Sequence, residues 1–119
     1  MGYSYVSLKL YDKMLSGFRE VSLLVDTGSM YTWVKREILE SLDIRAQERL
    51  RFRTIEGREV ERQIGEAVVE YDGVRATTIV VFAGEEDFQV LGVHALEGLR
   101  LEVDPGTGKL KRTEVLLAI

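Results

Sequence analysis

The sequence predicts an all-β chain with one or two short helices, wound into a small closed or folded-over sheet. Short runs of alternating polar and apolar residues recur along the chain, and glycine-containing turns separate them. Only one stretch has the apolar spacing of a good amphipathic helix. At 119 residues with 45% apolar content, the chain fits a single domain spanning 1–119 with one modest core.

Tyr3 to Leu10 alternates, with Val6, Leu8 and Leu10 on one face and Tyr5, Ser7 and Lys9 on the other, as a half-buried strand does. Tyr11 to Gly17 turns the chain. Phe18 to Val25 returns as a second strand, and this hairpin delivers Asp26 to the strand's far end. Tyr31 to Val34 continues as a short extended piece. From Lys35 to about Leu42, the spacing of Val34, Ile38, Leu39 and Leu42 predicts a helix with Lys35, Arg36, Glu37 and Glu40 outward.

Leu50 to Ile55 and Glu59 to Tyr71 read as strands joined by Glu56-Gly57-Arg58, with Gly65 marking a bulge or bend in the longer one. The Asp-Gly of Tyr71-Asp72-Gly73-Val74 suits a tight hairpin turn, after which Arg75 to Phe82 returns. Ala83 to Asp87 is an acidic loop, Phe88 to Leu91 a short buried strand, Gly92 a backbone pivot, and Val93 to Leu99 one or two helical turns. Leu99 to Val103 and Lys109 to Arg112 form a last hairpin around Asp104-Pro105-Gly106-Thr107-Gly108. Five apolar residues, Val115 to Ile119, then imply docking in a sheet or against another subunit.

Composition narrows the function. The chain has no cysteine and one histidine, His94, so no disulfide framework is available and no metal site is expected. No run approaches the ~18 apolar residues of a membrane span. Met1 to Leu10 lacks the basic start and apolar block of an export signal, which predicts a soluble, cytoplasmic protein with no membrane partner. A net charge of −4 argues against a nucleic-acid partner. The six arginines from Arg45 to Arg62 are interleaved with four glutamates and read as a solvated hairpin face.

The stretch that demands chemistry is Leu23-Leu24-Val25-Asp26-Thr27-Gly28-Ser29. Three apolar residues run into an acid, a hydroxyl and a glycine, which predicts a buried strand ending in a turn with one carboxylate at its apex. A buried, unpartnered carboxylate is costly, so it must be hydrogen-bonded, paired or made to share its charge. Thr27 and Ser29 are the nearest polar side chains, and Gly28 lets the backbone pass close.

This run resembles the active-site motif of the aspartic proteases, in their retroviral-type branch with one motif per chain. Val90-Leu91-Gly92 is similar to the family's second apolar-apolar-Gly element, which a short helix follows. Arg53-Thr54-Ile55-Glu56-Gly57-Arg58 resembles the hairpin that serves as a flap over the substrate. The resemblance extends from about Tyr5 to Arg112. It is nearer to the cellular and prokaryotic retropepsin-like proteins than to the viral enzymes, because Met30 and Val93 stand where the viral pattern has an acid and an arginine.

The resemblance implies a retropepsin-like closed β-barrel, half of an acid-protease fold, with Asp26 as the catalytic residue. One motif per chain implies a homodimer in which two Asp26 carboxylates share a proton around a water, with no cofactor and with a peptide or protein substrate across the two-fold axis. By the same resemblance, Thr27 hydrogen-bonds across the pair, Gly28 leaves room for the substrate backbone, and Ser29 donates toward the outer carboxylate oxygen and lowers its pKa. Ile55, Glu56, Gly57 and Arg58 close over the substrate, and the apolar tail fits an interface strand. Asp104-Pro105-Gly106 lacks the motif hydroxyl and reads as a turn, His94 as an exposed helix residue, and Trp33 as packing near the motif loop. Two rival readings are a peptide-binding module of the same fold that does not cut, and a β interaction domain in which Asp-Thr-Gly is an ordinary turn.

Overall fold

Side-chain alternation along the first hairpin decides which way the sheet curls. In the computed structural model, which describes residues 4–118, β1 (Tyr5–Tyr11) pairs antiparallel with β2 (Phe18–Val25) from Tyr5↔Leu24 to Tyr11↔Phe18. Leu8, Leu10, Val21, Leu23 and Val25 are buried on the inner side. The remaining elements are β3 (Thr32–Lys35), α1 (Arg36–Ser41), β4 (Glu48–Arg53), β5 (Glu59–Tyr71), β6 (Val74–Ala83), β7 (Val90–Leu91), α2 (Val93–Gly98), β8 (Leu101–Val103) and β9 (Leu110–Arg112).

The main sheet runs β1-β2-β7-β3-β6-β5-β4, and β1 also pairs with β5 through Lys9↔Glu70 and Leu10↔Val69. That second pairing closes the sheet into a barrel and leaves β4 attached to β5 alone. The strands β2 and β7 are parallel, as are β3 and β6, while the other pairs are antiparallel. The closing seam is short, and a polar clasp reinforces it from outside. Glu70 accepts hydrogen bonds from the Tyr11 hydroxyl and Arg75 Nε, both at 2.8 Å, and lies 3.6 Å from Lys9 Nζ. The Arg75 guanidinium lies over the Tyr11 ring at 4.2 Å. These donors, Arg75 foremost, hold the Glu70 carboxyl below the usual carboxylate range.

Inside the barrel, Leu10, Leu23, Val34, Val69, Val80 and Leu91 pack together, and the two helices cover its ends with Leu39 from α1 and with Ala95, Leu96 and Leu99 at α2. Each fully buried leucine contributes about 1.5–3 kcal/mol relative to an exposed one. The hairpin β8–β9 forms a separate two-stranded sheet and packs Val103 and Leu110 against this core.

Several expectations are met, and three are corrected. The helix at Lys35 to Leu42 is present as α1, and the mixed-charge segment is a solvated face crossed by Arg49–Glu61 and Arg53–Glu59 pairs at 3.4 and 3.0 Å. Gly65, however, makes no bulge. The register with β6 continues through Ile64↔Val81 and Gly65↔Val80, and glycine is required because a Cβ would sit 2.5 Å from the Arg45 carbonyl oxygen. Ile55 lies beyond β4 at the tip of a turn, fully exposed, because Thr54 N–H donates to Arg58 O and closes the loop one residue earlier.

Phe88 is not in a buried strand but is 77% exposed. The preceding loop is pinned by Asp87, which accepts from Gly84 N–H at 2.7 Å and from Arg62 at 2.7 and 3.1 Å, while the Gln89 side chain accepts from Lys35 N–H. Strand pairing therefore starts only at Val90. The apolar tail is likewise not docked in its own sheet: Val115, Leu116 and Leu117 are exposed and lie in no strand. Thr113 N–H donates to Arg100 O, and the chain then leaves the β8–β9 hairpin. Tyr3 of the first predicted strand and Ile119 of the tail lie outside the described residues.

Two stability measurements follow from this packing. Thr78 is buried, and its hydroxyl is the one buried side-chain polar atom without a hydrogen-bond partner among the described residues. Replacing it with a methyl in Thr78→Val is expected to raise unfolding stability by about 1 kcal/mol, read from the urea midpoint. The Arg62 pair holds Asp87 below the usual carboxylate range. A depressed folded-state pKa stabilises the fold above the unfolded value of about 3.9 and is lost as pH falls through the lower folded value. The midpoint gap between native protein and Asp87→Asn is therefore expected to be full at pH 7 and to shrink as pH falls below about 4.

Candidate active site

Asp26 sits where β2 runs out of partners on one side and gains one on the other. Leu24 and Val25 pair in parallel with Val90 and Leu91, and the Asp26 N–H donates to Leu91 O at 3.0 Å. On the opposite side, Val25 N–H donates to Ser4 O at 2.8 Å. The residue's backbone is thus anchored to the second motif before the chain turns. Ser29 N–H donates back to Asp26 O at 3.1 Å to close that turn.

The turn then threads through the start of α2. The Ser29 carbonyl accepts from Val93 N–H at 2.8 Å and the Met30 carbonyl from His94 N–H at 3.0 Å. The first N–H groups of a helix have no partner within it, so the motif loop caps α2 with its own carbonyls. Gly92 donates its N–H to the hydroxyl of fully buried Thr32 at 3.1 Å. Its φ is −92°, so no left-handed conformation demands glycine there. Space does: a Cβ on Gly92 would fall on the Tyr31 carbonyl and lie 2.8 Å from that of Ser29.

The carboxylate emerges from this frame half-buried, not buried, with Thr27 and Gly28 exposed beside it. The expectation of a buried acid is corrected, because β2 ends at Val25 and the turn rises out of the sheet. Gly28 N–H donates to Asp26 Oδ1 at 2.9 Å and is the only donor to that carboxylate among the described residues. The expected donor, Ser29, is committed elsewhere: its hydroxyl donates to the Tyr31 carbonyl at 2.8 Å. Ser29 therefore stiffens the loop and makes no hydrogen bond to the acid. The second oxygen, Oδ2, and the Thr27 hydroxyl have no partner in the chain, again among the described residues.

Around the loop lie the other predicted positions. Val90 and Leu91 are buried in β7, and Gly92 opens α2, so the structure brings the second motif directly against the first. Met30 is exposed. Trp33 packs near the motif loop, as expected: it is aligned with Val90 in the ladder, and its ring meets Phe52 at 5.2 Å. His94 is exposed, with its ring 6.0 Å from Tyr31. The hairpin tip of Ile55, Glu56, Gly57 and Arg58 is exposed, with Gly57 at a φ of 87° that favours glycine.

Sequence reasoning missed Thr32 and the carbonyls of Ser29, Met30, Tyr31 and Leu91. A threonine at an inward position of a short strand was a readable signal for Thr32. Backbone acceptors leave no such trace.

What the arrangement offers chemically is one carboxylate on a rigid turn, with one oxygen held by a backbone donor and the other free to act on water or to accept a proton. Comparisons place this geometry among known folds. No family model matches the chain, and no curated protein matches it. Among solved structures, the solution structure of Simian Foamy Virus (mac) protease matches with a TM-score of 0.55 at 18% identity, covering 79% of this chain and 92% of that one. The fold is the retropepsin-like closed barrel.

The Gly92 crossing yields the sharpest test of the frame. Gly92→Ala is expected to cost about 3 kcal/mol or more, because both overlapping atoms are backbone and cannot move aside. A chemical denaturation curve within about 1 kcal/mol of native would show that the loop and helix can separate.

Proposed function

We propose that the chain is an aspartic endopeptidase that works as a homodimer. The reading rests on one observation above the rest: among the described residues, Asp26 is presented on a locked turn with a single backbone donor and one unpartnered oxygen. Such a site is half of a two-carboxylate centre. A second copy across a two-fold axis supplies the other half, and the two Asp26 carboxylates then share one proton, since like charges in contact cannot both ionise.

Hydrolysis proceeds through a water held between them. The ionised Asp26 takes a proton as the water oxygen attacks the scissile carbonyl carbon, and the protonated Asp26 gives its proton to the carbonyl oxygen. In the collapse of the resulting diol, the C–N bond breaks, the departing nitrogen takes a proton from the protonated Asp26, and one diol hydroxyl gives its proton to the ionised Asp26 as the carboxyl group forms, which restores the pair. The Thr27 hydroxyl, which has no partner among the described residues, hydrogen-bonds across the dimer, and Gly28 adds no side chain where the substrate backbone runs. Ile55, Glu56, Gly57 and Arg58 cover the substrate. The exposed tail residues Val115, Leu116 and Leu117 are apolar surface that the second copy covers.

In this reading residues 1–119 are one catalytic domain acting in the cytoplasm on peptides or unfolded protein, with no cofactor and no nucleic-acid or membrane partner. The peptide-binding module that does not cut is the second reading, and the ion pair absent at Met30 and Val93 keeps it in play.

Digestion of an unstructured protein between about pH 3 and 7 tests the proposal, comparing native chain with Asp26→Asn, with and without a statine-containing peptide. Loss of the shared acid–base pair is expected to lower the rate at least about a hundredfold. Equal cleavage by both proteins, or a strict monomer under assay conditions, overturns it; statine-peptide binding without cleavage selects the binding module.

A further inference from the structure

We infer that Phe52 is a positioning residue: an aromatic latch from Phe52 to Tyr31 and Trp33 holds the β4–β5 hairpin down beside the Asp26 loop, and release of that latch is how the hairpin opens. The argument begins with what the hairpin lacks. The strand β6 pairs with β5 only from Ile64 to Tyr71, while β4 pairs only with residues Glu59 to Ile64. From Glu48 to Gln63, therefore, the chain is a two-stranded ribbon leaving the barrel wall, and such a ribbon is at best marginally stable alone.

Something must hold it. At its root, Arg62 grips Asp87 with two hydrogen bonds and Arg36 donates to the Gln63 side chain at 2.6 Å. Further out, every β4 residue is exposed except Leu50 and Phe52. The cross-strand ion pairs Arg49–Glu61, Arg51–Glu59 and Arg53–Glu59 join the ribbon to itself and not to the barrel. Phe52 reaches across: its ring lies 5.2 Å from Trp33 and 6.4 Å from Tyr31, both edge-to-face. Those two residues lead directly out of the Asp26 turn, and Tyr31 supplies the carbonyl that Ser29 grips.

Beyond the latch the tip is braced internally. Thr54 N–H donates to Arg58 O, Gly57 N–H to Thr54 O, and Arg58 N–H to the Thr54 hydroxyl. With one glycine and three hydrogen bonds, the tip does not curl by itself. Opening instead swings the whole ribbon from its root near Ile64, and the contact that must break is Phe52 on the two β3-side rings. Edge-to-face pairs are individually weak, so two of them set a threshold that thermal motion crosses often enough for a lid.

The latch belongs to the fold and is readable without any activity; its control of access to Asp26 rests on the proteolytic reading. Amide hydrogen exchange is compared for native protein, Phe52→Ala and Phe52→Tyr, the last keeping the ring with its hydroxyl free to reach water. Phe52→Ala is expected to speed exchange at ribbon amides from Arg49 to Val60 about tenfold or more while β1, β2 and β6 amides stay protected, and Phe52→Tyr to restore protection. Unchanged ribbon exchange in Phe52→Ala, an equal rise in the barrel strands, or no rescue by Phe52→Tyr overturns the latch. Association of a statine-containing peptide is then expected to quicken severalfold in Phe52→Ala. Faster exchange with no peptide bound by either protein leaves the latch standing and counts against the proteolytic reading.

Discussion

The contact on which the rest of this structure depends is the crossing of two backbones at Gly92. One segment arrives from β2 through Asp26, the other from β7, and they pass so closely that a single carbon atom would not fit between them. Hydrogen bonds from Asp26, Val93, His94 and Gly92 then fasten each segment to the other. Because every one of these groups would otherwise be an unsatisfied backbone donor or acceptor near the core, the crossing satisfies two needs at once. It caps a helix of six residues, which could not be stable alone, and it fixes the direction in which one carboxylate leaves the fold.

The barrel is built to protect that crossing while leaving one part loose. Its seam between β1 and β5 is only two residue pairs long, yet Glu70 gathers Tyr11, Arg75 and Lys9 over it. A clasp of this kind adds little energy at the surface, but it prevents a short seam from fraying. The same β5 strand, once past Ile64 toward its start, has no barrel partner and carries the ribbon outward. Rigidity at one end of a strand and freedom at the other are thus consequences of where β6 stops.

Much of this was legible in the sequence, and the reasons it was or was not are physical. The first hairpin, β5 with its Asp-Gly turn, and α1 obey local rules of alternation, turn chemistry and helical spacing, so their residues announce them. The motif loop was legible as a strand meeting an acid. What failed were inferences that needed a partner in space. Phe88 looks like a strand residue until Asp87 and Gln89 are seen to spend the local hydrogen bonds on Arg62, Gly84 and Lys35. Ser29 looks like a donor to its neighbouring acid until Tyr31 O is found within reach. Gly65 and Gly92 both look like flexible points, yet each is present because the backbone carbonyl of a neighbouring loop lies against it.

That last contrast bears on how the acid should be understood. An aspartate held by three side-chain donors would be a finished structural group with a charge it could not easily surrender. Here the only donor among the described residues is one backbone N–H, and the Ser29 hydroxyl is turned away to a carbonyl. The fold therefore goes to some length to fix the position of Asp26 while committing only one of its carboxylate oxygens to a donor among the described residues. Ser29 N–H closes the turn on the Asp26 carbonyl, and the Asp26 carboxylate adds a second hold on it through Gly28 N–H, which leaves Oδ2 as the oxygen without a donor among the described residues.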